Sequence, residues 1–86
     1  MKMQIVRLFK IDDEKSKIAA FVDLGIEDKL LVKGFKVMRG KKGLYVGYPT
    51  KEGRDEKHYE TIVAMDNLTK QDIENAIIKG YSEFTG

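Results

Sequence analysis

The sequence predicts an α+β domain: a mostly antiparallel five-stranded sheet with one C-terminal helix, assembled as a strand-rich homodimer. Three observations carry that expectation. Apolar and polar residues alternate with a period of two through much of the first 65 residues, the pattern of half-buried strands. The pattern then changes: Ile73, Ala76, Ile77, Gly80, Tyr81 and Phe84 recur at i, i+3, i+4, i+7, i+8 and i+11, one stripe of an α-helix. Finally, the chain has 86 residues and no cysteine. A single domain of that size buries only roughly 60–65% of its unfolded surface, and without disulfides a second copy is the remaining source of burial.

Residues 3–11 set Ile5, Val6, Leu8, Phe9 and Ile11 around Arg7 and Lys10, which reads as a strand with both faces partly covered. The polar run 12–16 turns the chain into a second strand, residues 17–24, with Ile18, Ala20, Val22 and Leu24 on one face. A polar break follows Gly25, and residues 30–39 form the third strand, bent at Gly34, where a missing side chain often marks a bulge. The stretch 34–51 is the expected centre of the fold. Phe35 and Val37 alternate with Lys36 and Met38, and Leu44, Val46 and Tyr48 alternate with Tyr45 and Gly47. Between them Gly40-Lys41-Lys42-Gly43 places two residues tolerant of positive φ around a dibasic tip. Pro49 has no N–H to donate and ends the fourth strand. Residues 50–57, with Gly53 and six charged side chains, read as the longest loop, and residues 58–65 as the fifth strand. Thr69 and Asp72 have the spacing of a capping box at the helix start, with Leu68 and Ile73 as its hydrophobic staple.

Composition excludes several classes of function. No run approaches the roughly 20 apolar residues of a membrane span, and Arg7, Lys10 and Asp12 interrupt any signal-peptide core, so a cytoplasmic protein is expected. His58 is the only histidine, and Ser16 and Ser82 lie far from it in sequence, which leaves no nucleophile–base pair and points away from an enzyme. Asp12-Asp13-Glu14 lacks the spaced oxygens and glycine of a calcium loop. No glycine-rich phosphate loop opens a helix. Neither a metal, a cofactor nor a small-molecule substrate is expected.

Charge distribution is more informative than its sum. The net charge is +2, but residues 1–28 carry −1, residues 29–57 carry +6 and residues 58–86 carry −3. A segregated positive segment attracts polyanions through its local potential. Basic side chains at a hairpin tip can neutralise phosphates, which makes Arg39, Lys41 and Lys42 candidates, with Lys51 and Arg54 in the loop beyond. Tyr45 and Tyr48 are candidates to stack on unpaired bases. Equally, lysines at a turn keep a hairpin soluble, and strand tyrosines usually pack. Thr69 and Lys70 offer a second phosphate seat at the helix N-terminus, opposed by the charge of Asp72.

Phe35-Lys36-Val37-Met38-Arg39-Gly40 followed by Gly43-Leu44-Tyr45-Val46, the exit Pro49-Thr50-Lys51, and Leu68-Thr69-Lys70 through Ile73, Ala76 and Tyr81 together resemble the SpoVG family. Val6-Arg7-Leu8 and Ile18-Ala19-Ala20 fit the same pattern. The resemblance implies a homodimeric, site-preferring DNA-binding protein that also binds RNA and modulates gene expression in septation and sporulation. It implies nucleic-acid contacts for Lys51 and Lys70. Glu52 and Asp72 depart from it, since both stand where the family tends to have a basic residue. Lys41 and Lys42 make the tip richer in positive charge than the family's usual polar turn. The alternative function, from a different class, is a protein-interaction adaptor whose lysines only keep it soluble.

Overall fold

Period-two alternation becomes an antiparallel meander. In the computed structural model, which describes residues 1–84, strands β1 (Met3–Lys10), β2 (Ile18–Ile26), β3 (Leu30–Gly40) and β4 (Gly43–Gly47) form one sheet in the order β1-β2-β3-β4. A short antiparallel pair, β5 (Thr50–Glu52) and β6 (His58–Glu60), stands apart from it, and helix α1 (Asn67–Glu83) follows. No helix among the described residues is long and apolar enough to cross a membrane.

The core lies between one sheet face and α1. Register places Val22 opposite Phe35 and Ala20 opposite Val37, and these four side chains are buried with Leu24, Ile73 and Ile77. Ile5, Leu8, Val32 and Val46 pack around them. The helical stripe therefore points where its periodicity requires. At its far end, Lys10 Nζ donates to the Phe84 carbonyl at 3.0 Å and sits over the Tyr81 and Phe84 rings, holding the last turn against β1.

β1 has only one covered face. Met3, Ile5 and Leu8 are half-buried, whereas Val6 and Phe9 are exposed, because the single helix covers one side of the sheet. The bend at Gly34 is present: φ is +100° there, beside the point where the β2–β3 register slips between Val22 and Leu24. A side chain at that φ is strained. At the basic tip, Gly40 pairs with Gly43, and of the tip residues only Gly43 takes a positive φ, at 121°.

Two expectations are corrected by the chain after Pro49. The loop expected over 50–57 contains β5, which pairs with β6 through a turn closed by Gly53 N donating to Lys57 O at 2.8 Å. Its dense charge disguises a hairpin. The fifth strand, expected to reach residue 65, ends at Glu60. An apolar run continues from Ile62 through Met65, but β5, ending at Glu52, offers it no partner. Thr61 instead donates from its N and its Oγ1 to the Pro49 carbonyl.

The helix also starts earlier than the capping-box spacing implies. Asp66 is the N-cap, and its Oδ1 accepts from Thr69 N at 2.7 Å. Asp is a strong N-cap residue in its own right, so Thr69 becomes the third helical residue. Leu68 then lies inside the first turn, exposed, and forms no staple.

Candidate nucleic-acid interface

The site starts from the hairpin tip. Lys41 and Lys42 are exposed between β3 and β4. Tyr45, three residues on, is 51% exposed, and its ring lies against Gly40, where a Cβ would come within 2.9 Å of it. The missing side chain at Gly40 thus lets an aromatic ring rest at the base of the basic tip. Tyr45 also lines a cavity of about 370 Å³ that continues along the β4 edge. Val46 and Tyr48 of β4, Glu60, Val63 and Ala64 of the returning segment, and Lys70 and Glu74 of α1 complete its walls. Tyr45 therefore borders both the base of the tip, at Gly40, and the cavity that Lys70 lines.

Tyr48 differs from Tyr45. Only 9% of it is exposed, its ring meets Phe35 edge-on at 5.4 Å, and its hydroxyl donates to Glu74 Oε2 at 3.4 Å. Burial, then the charge of Glu74 and that hydrogen bond, push its pKa up. Tyr48 is a packing residue with a polar end in the cavity, and of these two tyrosines Tyr45 is the one exposed enough for stacking.

Arg39 is committed elsewhere. Its Nη1 donates to the carbonyls of Asp13, Ser16 and Ile18 at 3.0, 2.8 and 3.1 Å, and its Nη2 to that of Ile11 at 3.3 Å. The fork of guanidinium donors closes the β1–β2 connection by gathering carbonyls of that connection and of the first residue of β2. Its position beside two lysines concealed this role, since sequence spacing cannot show a turn folding back from 26 residues away.

Lys51 lies on β5 opposite Tyr59, and Glu52 lies opposite His58. Arg54 is exposed in the β5–β6 turn. That turn is mixed in sign: the Tyr59 hydroxyl donates to Asp55 Oδ2, which holds the Asp55 carboxyl below the usual range and pushes Tyr59 up. Lys70 is in the first helical turn, but the helix N-terminus is not an anion seat. Asp66 takes the Thr69 amide, and its backbone carbonyl accepts from Lys70 N at 3.1 Å. The bond from the Thr69 amide depresses the Asp66 pKa, so a carboxylate already fills the positive end of the helix. Lys70 instead presents its side chain to the cavity. Glu60 and Glu74 are site residues that sequence reading missed. The Lys70–Glu74 spacing of four, one helical face, was a usable signal for Glu74; nothing in the sequence marked Glu60.

Among the described residues no three His, Cys, Asp or Glu side chains gather where they could hold a metal ion.

The SpoVG family model matches residues 1–83. The septation protein SpoVG of Agathobacter rectalis is 28% identical over 81 residues, covering 94% of this chain and 92% of that protein. Its namesake in Staphylococcus carnosus is 30% identical over 83 residues, covering 96% of this chain and 77% of that protein. A relative with the same name in the archaeon Archaeoglobus fulgidus is 28% identical over 78 residues, 91% of each chain. With the match running from the first residue to the last residue of the helix, the chain belongs to the SpoVG family.

Proposed function

We propose that this chain is a dimeric, cytoplasmic nucleic-acid-binding regulator of gene expression, acting in septation as the names of its relatives suggest. The observation that carries the reading is the continuity of the basic tip, the exposed Tyr45 ring and Lys70 along one edge of the molecule. Lys41, Lys42, Lys51, Arg54 and Lys70 are the phosphate contacts in this reading, and Arg39 holds the β1–β2 connection that supports β3. Phosphate contacts supply affinity and register without sequence information. The second copy packs on the uncovered sheet face, where Phe9 and Phe21 pair directly across β1 and β2 and remain 61% and 38% exposed.

The test is a fluorescence-anisotropy titration of labelled DNA and RNA at two salt concentrations, with wild type, Lys41→Glu/Lys42→Glu and Lys70→Glu. Wild-type affinity falls steeply with salt, and each lost phosphate contact reduces the log–log slope by roughly 0.7–0.9. The tip variant loses most of the affinity. Loss confined to Lys70→Glu would move the phosphate contacts to the helix. Absence of binding to either polymer by folded wild type would replace this reading with the adaptor, which the apolar Val63, Met65 and Leu68 surface favours.

A further inference from the structure

The cavity beside α1 carries a donor–acceptor pattern of which phosphate binding would use only Lys70, one of whose three N–H donors is enough for a phosphate. Val46, Val63 and Ala64 give the cavity an apolar lining, to which the half-exposed Tyr45 adds an aromatic ring. At about 370 Å³ it lies at the small end of small-ligand sites. Lys70 and Glu74 stand one helical turn apart on its α1 side, where side chains four residues apart are neighbours. The first can only donate hydrogen bonds, and the second, ionised, can only accept them. Tyr48 donates to Oε2 of Glu74 at 3.4 Å, which orients the carboxylate and leaves Oε1 and the second lone pair of Oε2 as acceptors. Glu60 adds a second carboxylate.

Nucleobases differ in how they meet this sequence of groups. Guanine presents, along one edge, an acceptor (O6) followed by two adjacent donors (N1–H and the N2 amino group). Uracil offers a single donor flanked by acceptors. Adenine and cytosine place an acceptor beside their amino group, which a carboxylate repels. We propose that the cavity holds one unstacked guanine, with Tyr45 on its face, Lys70 donating to O6, Glu74 accepting from N1–H and N2–H, and Glu60 accepting the remaining amino hydrogen. This rests on the nucleic-acid reading above and adds base selectivity to it. Unpaired bases are read in this way, by stacking and by hydrogen bonds to the Watson–Crick edge.

The experiment measures anisotropy on labelled oligouridylates that carry one central guanine, inosine, adenine or cytosine, with guanosine monophosphate as competitor. Wild type binds the guanine strand at least tenfold more tightly than the adenine strand, the discrimination of about one bidentate base contact. The inosine strand, lacking the amino group, falls between them. Glu74→Gln keeps the side-chain shape and an acceptor for Tyr48, and brings the guanine-to-adenine ratio to within about twofold. Circular dichroism checks that it is folded. Equal affinities for all four strands, or an unchanged ratio in folded Glu74→Gln, overturns the guanine site while leaving salt-sensitive phosphate binding intact. Failure to bind any strand removes both. Competition by the free nucleotide at the strand's own affinity assigns the site to a soluble guanine nucleotide; much weaker competition assigns it to a single strand. Either supports guanine as the ligand.

Discussion

The two faces of the β1–β4 sheet are made by the same strands, and only one of them is a core. On the helix side Val22, Leu24, Phe35 and Val37 are buried to within 1%. On the other side Val6, Phe9, Phe21 and Leu31 keep much of their surface in contact with solvent. Both sides have large apolar residues, so hydrophobicity does not separate them. What separates them is supply: α1 has one apolar stripe, and it can cover one face. Uncovered apolar residues paired across adjacent strands form a patch of the kind that marks an interaction surface.

The largest effect expected from breaking this contrast is on the covered face. Phe35→Ala removes a wholly buried ring that also supports Tyr48. It should cost about 3–5 kcal/mol, measured by equilibrium denaturation, a large share of the roughly 5–15 kcal/mol typical of a domain. Next is the helix–sheet seam. Gly80 lies directly against Ile5 of β1, so Gly80→Val should push α1 off the sheet and destabilise by about 1–3 kcal/mol. Adding Ile5→Ala should recover part of that loss, because contacting residues couple. A pair of variants with additive costs would mean the seam yields elsewhere.

On the open face the expectation reverses. Phe9→Glu/Phe21→Glu should cost the fold little beyond the lost linkage to the dimer and the repulsion of two charges set opposite one another across β1 and β2, because neither ring belongs to the core. The same variant should sediment as a monomer, against the dimer proposed for wild type. Dissociation by Val63→Glu/Met65→Glu instead would move the interface to the segment before α1, where Met65 is 97% exposed. The smallest effect is at the helix start. The Thr69 amide, foremost, holds the Asp66 carboxyl below its ordinary value of 3.8. A depressed folded-state pKa gives stability that is complete above the ordinary value and is lost as pH falls through the lower one. Helical circular dichroism should therefore weaken slightly in acid, below that ordinary value. Asp66→Asn, which caps without titrating, should flatten the change.

Local rules made most of the fold legible. Alternation located the first four strands, Gly34 marked the bulge, and the helical stripe named Ile73 and Ile77, both of which are buried against the sheet. The misses share one cause. A strand needs a partner as well as a pattern, so the apolar run 62–65 goes unpaired, and the polar Thr50-Lys51-Glu52 pairs without an apolar pattern. Arg39 and Tyr48 likewise sit where composition suggests ligand contacts, and tertiary neighbours engage them with carbonyls and with Phe35 and Glu74.

The sequence by itself determined the fold class, the helix stripe and the dibasic tip, because each follows from backbone periodicity, turn chemistry or a run of like charges. Tertiary structure decided which sheet face is covered, which basic residue is occupied inside the fold, and how Tyr45, Glu60, Lys70 and Glu74 come to enclose one cavity. Those outcomes depend on side chains distant along the chain meeting in space, and no local pattern records which ones will meet.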